Sequence, residues 1–70
     1  MAISYKKLWK LLIDKDMTAV ELRERTGIAP NTMTKLRRDE EVSMAVLIKI
    51  CTALNAKIGD IMDLIPGEDA

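Results

Sequence analysis

Asn31, Thr34, Lys35 and Arg38 fall at i, i+3, i+4 and i+7, the spacing that stacks side chains on one face of an α-helix. The chemistry on offer is hydrogen bonding near one end and positive charge near the other. An asparagine can pair with the edge of adenine, a lysine can donate to guanine, and an arginine at the rim can hold a phosphate. Thr32 and Arg37 flank this face, while Met33 and Leu36 lie opposite it and continue an apolar core from Ile28. The same arrangement suits an ordinary surface helix. Cations near a helix C-terminus gain about 0.3 to 1 kcal/mol each from the helix dipole, and a polar outer side is common to all such helices. The purpose of the face therefore depends on the elements that hold it.

Those elements read as helical throughout. Tyr5, Leu8, Trp9 and Leu12 recur at helical spacing, Leu11 and Ile13 widen the stripe, and Ser4 offers a cap, which predicts a first helix from about Ser4 to Lys15. Thr18 stands three residues before Glu21, the spacing of a capping box, so a short second helix is expected over about Ala19 to Thr26. Gly27 ends it, because glycine takes the left-handed conformation at low cost. Ile28 is a single apolar anchor, and Pro30 fits the first turn of a third helix running to about Arg38. Asp39, Glu40 and Glu41 break the pattern in a loop that ends at Ser43, a cap for a fourth helix carrying Leu47, Ile50, Cys51 and Leu54 on one face. Asn55 and Ala56 turn the backbone. Ile58, Ile61, Met62 and Ile65 predict a short fifth helix closed by Pro66 and Gly67. No strand alternation is evident, so the expected fold is all-α: a compact bundle of five helices.

Composition narrows the function. Seventy residues make one small domain with 49% hydrophobic and 31% charged residues, a globular balance rather than that of a disordered tail. No apolar run approaches the roughly 20 residues of a membrane span, and the opening stretch does not read as a signal peptide. Cys51 is alone, which favours a reducing, cytoplasmic setting, and the chain has no histidine. Neither a metal site nor a cofactor is therefore expected. Without a nucleophile paired with a base, a carboxylate pair in a cleft or a glycine-rich loop, the chain does not read as an enzyme.

The formal net charge is zero, but it is unevenly distributed. Up to Arg38 nine bases face four acids; from Asp39 onward two bases face seven acids. This polarity fits one face built for an anionic partner, and equally an unevenly charged solvated surface.

Connectivity gives the third helix a purpose. A short capped helix, a glycine-centred turn with one apolar anchor and a second helix with a polar outer face form a helix-turn-helix, whose second helix can enter the major groove of DNA. The stretch "MTAVELRERTGIAPNTMTKLRR", Met17 to Arg38, resembles the Cro/C1-type, XRE-like helix-turn-helix transcriptional regulators. "YKKLWKLLIDKDM", "VSMAVLIKICTAL" and "NAKIGDIMDLI" are similar to the first, fourth and fifth helices of that family, so nearly all of residues 4–65 is covered. The resemblance implies a lambda-repressor-like domain with its helix-turn-helix at about residues 18–38. It also implies a sequence-specific double-stranded DNA-binding regulator, a repressor acting as a homodimer on a two-fold operator.

Residue roles follow from the resemblance in the same way. Thr18 and the Ala19 amide match positions that grip a phosphate; Pro30, Asn31 and Lys35 match positions that face bases; Arg38 matches one near the backbone. Thr34 is assigned with the base readers, and Thr32 and Arg37 with the phosphate contacts, although either threonine suits both purposes. Leu64 and Ile65 extend the apolar stripe and are candidates for dimerisation. Three positions depart from the family pattern. Arg23 stands where a small residue is usual, Ala29 replaces a hydroxyl cap, and Lys57 opens the last helix without one. Asp39, Glu40 and Glu41 are expected to mark where the DNA footprint ends. The alternative reading is an antitoxin-like or accessory protein-interaction module on the same scaffold, motivated by the apolar C-terminal segment and the acidic half.

Overall fold

Four α-helices follow the four clearest helical periods of the chain, and a short sheet joins the first and last described segments. The computed structural model describes residues 1–67. Its elements are β1 (Ala2–Ser4), α1 (Lys6–Asp14), α2 (Ala19–Thr26), α3 (Pro30–Arg37), α4 (Met44–Leu54), a single 3-10 turn (Ile58–Asp60) and β2 (Asp63–Ile65). The helix-turn-helix class expected from sequence is therefore present, with four helices and not five.

The local signals that place α2 and α4 act as expected. Thr18 Oγ1 accepts the Glu21 amide at 3.1 Å while Glu21 Oε1 accepts the Thr18 amide at 2.9 Å, closing the capping box. Ser43 Oγ accepts the Val46 amide at 3.2 Å and starts α4. The ends of the first, third and fourth helices share a device that sequence reading found only once. Asp16, Asp39 and Asn55 all take positive φ, at 55°, 58° and 52°. Each lets the next residue's amide reach back to a carbonyl near the helix end: Met17 to Leu12, Glu40 to Lys35 and Ala56 to Cys51, all at 2.9 Å.

The expected fifth helix is corrected to a turn and a strand. After the 3-10 turn the chain extends, and β2 pairs antiparallel with β1 in the register Ala2↔Ile65, Ile3↔Leu64 and Ser4↔Asp63. A helix this short gains little from its own hydrogen bonds and depends on tertiary packing. Pairing with the N-terminal segment supplies backbone partners instead. Ser4 consequently belongs to β1, and α1 begins two residues later, with Tyr5 at its cap. The Ser4 hydroxyl still accepts the Lys6 amide at 3.3 Å. Lys57 turns out to be served by its neighbour: Asp60 Oδ2 accepts the Lys57 amide at 2.9 Å.

The core gathers one side of every helix. Tyr5, Leu8, Leu12, Leu22, Ile28, Met33, Leu36, Leu47, Ile50, Leu54 and Ile61 are buried in a single cluster, each large aliphatic side chain contributing about 1.5 to 3 kcal/mol. Trp9 and Cys51 are half-buried against this cluster, as expected for packed residues. Burial, and then the charge of Asp60, push the Cys51 thiol above its usual range, so it is not an activated nucleophile. Two apolar residues depart from their expected core role: Ile13 is 77% exposed and Ile58 44%. Ile13 lies on the outer flank of the α1 stripe, and the missing fifth helix leaves Ile58 without a surface to cover. Arg23 is half-buried, consistent with its stem lying along apolar side chains.

Candidate nucleic-acid interface

The turn between α2 and α3 is built from three local devices. Gly27 adopts φ 71° and ψ 17°, and its amide reaches the Arg23 carbonyl at 2.8 Å. A Cβ there would meet no atom within 4 Å, so substitution costs backbone strain alone. Thr26 donates its hydroxyl to the Leu22 carbonyl at 2.8 Å and accepts the Ile28 amide at 3.4 Å, carrying the chain out of α2. Ile28 then enters the core and Pro30 opens α3.

With Met33 and Leu36 buried, α3 can be oriented in only one way. Pro30, Asn31, Thr34, Lys35, Arg37 and Arg38 are all exposed on it, and Thr32 is half-buried. Among the described residues, Lys35, Arg37 and Arg38 make no ion pair; the bridge found is Lys7 Nζ to Asp63 Oδ1 at 3.1 Å, between α1 and β2. The cations of α3 thus remain available to an outside anion. Thr34 donates its hydroxyl to the Pro30 carbonyl at 3.3 Å, which leaves its oxygen to act as an acceptor. At the start of α2 the Thr18 side chain is exposed and Ala19 half-buried. Of the first-turn amides, Glu21's is held by Thr18 Oγ1, whereas those of Ala19 and Val20 have no acceptor within the helix, the usual condition for holding a phosphate oxygen.

Sequence similarity agrees with this geometry. The pattern of the Cro/C1-type HTH DNA-binding domain matches residues 7–67. The chain belongs to the Cro/C1-type helix-turn-helix family. It is also similar to the transcriptional regulator VanUg, whose crystal structure superimposes with a TM-score of 0.90 at 51% sequence identity, covering 93% of this chain and 87% of that one. No match is found among curated proteins. A Cro/C1-type domain binds DNA and is not an enzyme. Among the described residues no helix is long and apolar enough to cross a membrane, and no group of side chains could hold a metal ion.

The Cro/C1-type domain also gives its acidic run a structural role. Asp39 Oδ1 accepts the Tyr5 amide at 2.9 Å, and the Tyr5 hydroxyl donates to the Glu40 carbonyl at 2.8 Å. These groups tie the end of α3 to the start of α1. Burial, then Asp39, then Glu41 push the Tyr5 phenol above its ordinary range, keeping it a neutral donor. An acid placed where a helix end favours glycine was visible in the sequence, but its partner, 34 residues away, was not.

Leu64 and Ile65 lie on β2, 56% and 42% exposed. Leu64 lines a shallow apolar hollow of about 210 Å³ with Ile58, Gly59 and Met62. Ala29 caps α3 without a side-chain hydrogen bond, in an extended conformation suited to one. Ala29→Ser is expected to add about 1 kcal/mol and raise the melting temperature by about 4 to 8 °C. A thermal melt followed by circular dichroism checks this; an unchanged midpoint would mean that the missing cap does not limit stability.

Proposed function

We propose that this chain is a sequence-specific transcriptional repressor that reads the DNA major groove with α3. The observation that carries this is the exposed face of α3, whose cations form no ion pair among the described residues, backed by buried Met33 and Leu36. Pro30, Asn31, Thr34 and Lys35 face base edges. Thr18, the Ala19 amide, Thr32, Arg37 and Arg38 hold phosphates on either side. The similarity to VanUg, a transcriptional regulator, supports the same role. Repression follows from occupancy: a domain seated on an operator denies that stretch to polymerase.

One copy presents a single reading helix of eight residues, about 12 Å long, which covers only a few base pairs. Two copies on half-sites roughly 34 Å apart would supply the remaining affinity. Leu64 and Ile65, exposed on β2 beside the apolar hollow, are the surface for that pairing. The site of action is the cytoplasm, where lone Cys51 stays reduced. The same apolar patch favours a second reading, a domain whose main partner is another protein.

Selection of bound duplexes from a random pool tests the reading, and an enriched two-fold site is the expected result. Enrichment of no duplex would sink it. Single substitutions then separate the roles. Lys35→Ala is expected to relax base preference at one position by about 1 to 3 kcal/mol, whereas Arg38→Ala weakens all duplexes alike. Identical effects of the two on selected and random duplexes would contradict the assignment.

A further inference from the structure

Asp39 is the one residue of the acidic run whose side chain is engaged over a long range. It follows α3 in a left-handed conformation, φ 58°, that costs an L-residue about 1 to 2 kcal/mol and costs glycine little. Asp16 adopts the same backbone after α1 with no long-range bond recorded for its side chain, so the conformation alone has no special meaning. What distinguishes Asp39 is its carboxylate on the Tyr5 amide. Beside it, Glu40 accepts the Tyr5 hydroxyl at its carbonyl and donates its own amide to the Lys35 carbonyl at 2.9 Å. A continuous chain of hydrogen bonds therefore runs from buried Tyr5, at the start of α1, to the backbone of Lys35 in the middle of the exposed face.

We propose that Asp39 is a positioning residue for DNA reading: by holding the Tyr5 amide it fixes the C-terminal end of α3 against α1 and sets where Lys35, Arg37 and Arg38 are presented. The proposal rests on α3 being the reading helix. It explains why an acid sits beside a surface meant for phosphate. The hydrogen bond needs an acceptor on a residue that also tolerates the left-handed region, and aspartate and asparagine are the side chains that meet both needs. Aspartate adds a negative charge that disfavours phosphates beyond the end of the helix, so non-specific binding is reduced together with the gain in register.

Two substitutions in the full chain separate this role from simple helix ending. Asp39→Gly relieves the backbone and preserves the end of α3, but removes the acceptor. Asp39→Asn keeps both the backbone tolerance and the acceptor, and removes only the charge. The measurements are amide hydrogen exchange at Tyr5 without DNA, and affinity for a selected duplex relative to a random one. Asp39→Gly is expected to speed Tyr5 exchange about tenfold or more and to lower the selected-to-random ratio about fivefold. Asp39→Asn is expected to hold that ratio within about twofold of the wild-type value while binding every duplex more tightly. Asp16→Gly, which relieves the same backbone strain at another helix end, measures what that relief does to stability alone. A Tyr5 amide freed in Asp39→Gly with an unchanged ratio would overturn the proposal, as would Asp39→Asn losing the ratio as fully as glycine does. A wild-type chain that prefers no duplex would overturn both this proposal and the reading-helix assignment, and that result is seen before any variant is made.

Discussion

Leu36→Ala is expected to cost about 2 to 5 kcal/mol, the range for deleting a fully buried leucine that leaves an uncollapsed cavity. Leu36 is completely buried and belongs to α3, opposite the exposed cations. A chain of 70 residues has a total stability of only about 4 to 10 kcal/mol, so this one side chain is a large fraction of it. The melting temperature should fall by roughly 10 to 40 °C. DNA binding should fail as the fold does, because among the described residues α3 has no other deep anchor than Met33 and no ion pair to hold its outer face. Thermal melting by circular dichroism at 222 nm reads this directly. A midpoint within a few degrees of the wild-type value would mean that α3 is held in place by something other than its inward pair.

Affinity for duplex DNA is expected to fall about 150-fold between 50 and 200 mM monovalent salt, from a slope near −3.6 for about four phosphate contacts. The source of the slope is the release of counterions condensed on the duplex, displaced when Arg37, Arg38 and the start of α2 approach phosphates and Lys35 enters the groove beside them. Lys35, Arg37 and Arg38 are exposed and form no ion pair among the described residues, so no internal bond must first be broken. Asp39, Glu40 and Glu41 stand at the end of the same helix and oppose that attraction, so the slope reports how far the footprint extends toward them. Fluorescence anisotropy of a labelled duplex over a salt series supplies the measurement. A flat dependence would remove the DNA-reading assignment and leave the protein-partner reading in its place.

The parts of the site legible in the sequence are those made by neighbours. The Thr18 and Glu21 reciprocal bonds span three residues. Gly27 ends α2 through an amide bonded four residues back, and Met33 and Leu36 lie three apart on the inner side of α3. Each is a short-range relation with a fixed residue preference, so spacing alone exposes it. The polar face of α3 is legible for the same reason, as the complement of its buried pair. The failures share a reason too. Ile58, Ile61, Met62 and Ile65 carry a helical period, and Ile61 is indeed buried, yet the segment is a turn and a strand because β1 was available to pair with it. Helical spacing over eight residues cannot register a partner at the other end of the chain.

The sequence by itself therefore determined the helix-turn-helix, its capped and glycine-ended joint, and which side of α3 faces outward, because helix periodicity and capping are local physics. The tertiary structure alone decided that the two ends of the domain close as a sheet. It also decided that Asp39 and Glu40, read as the border of a footprint, hold the end of α3 to Tyr5. Both outcomes depend on hydrogen bonds between segments far apart in the chain. Such bonds obey geometry that only the packed core creates, so they leave no period in the sequence.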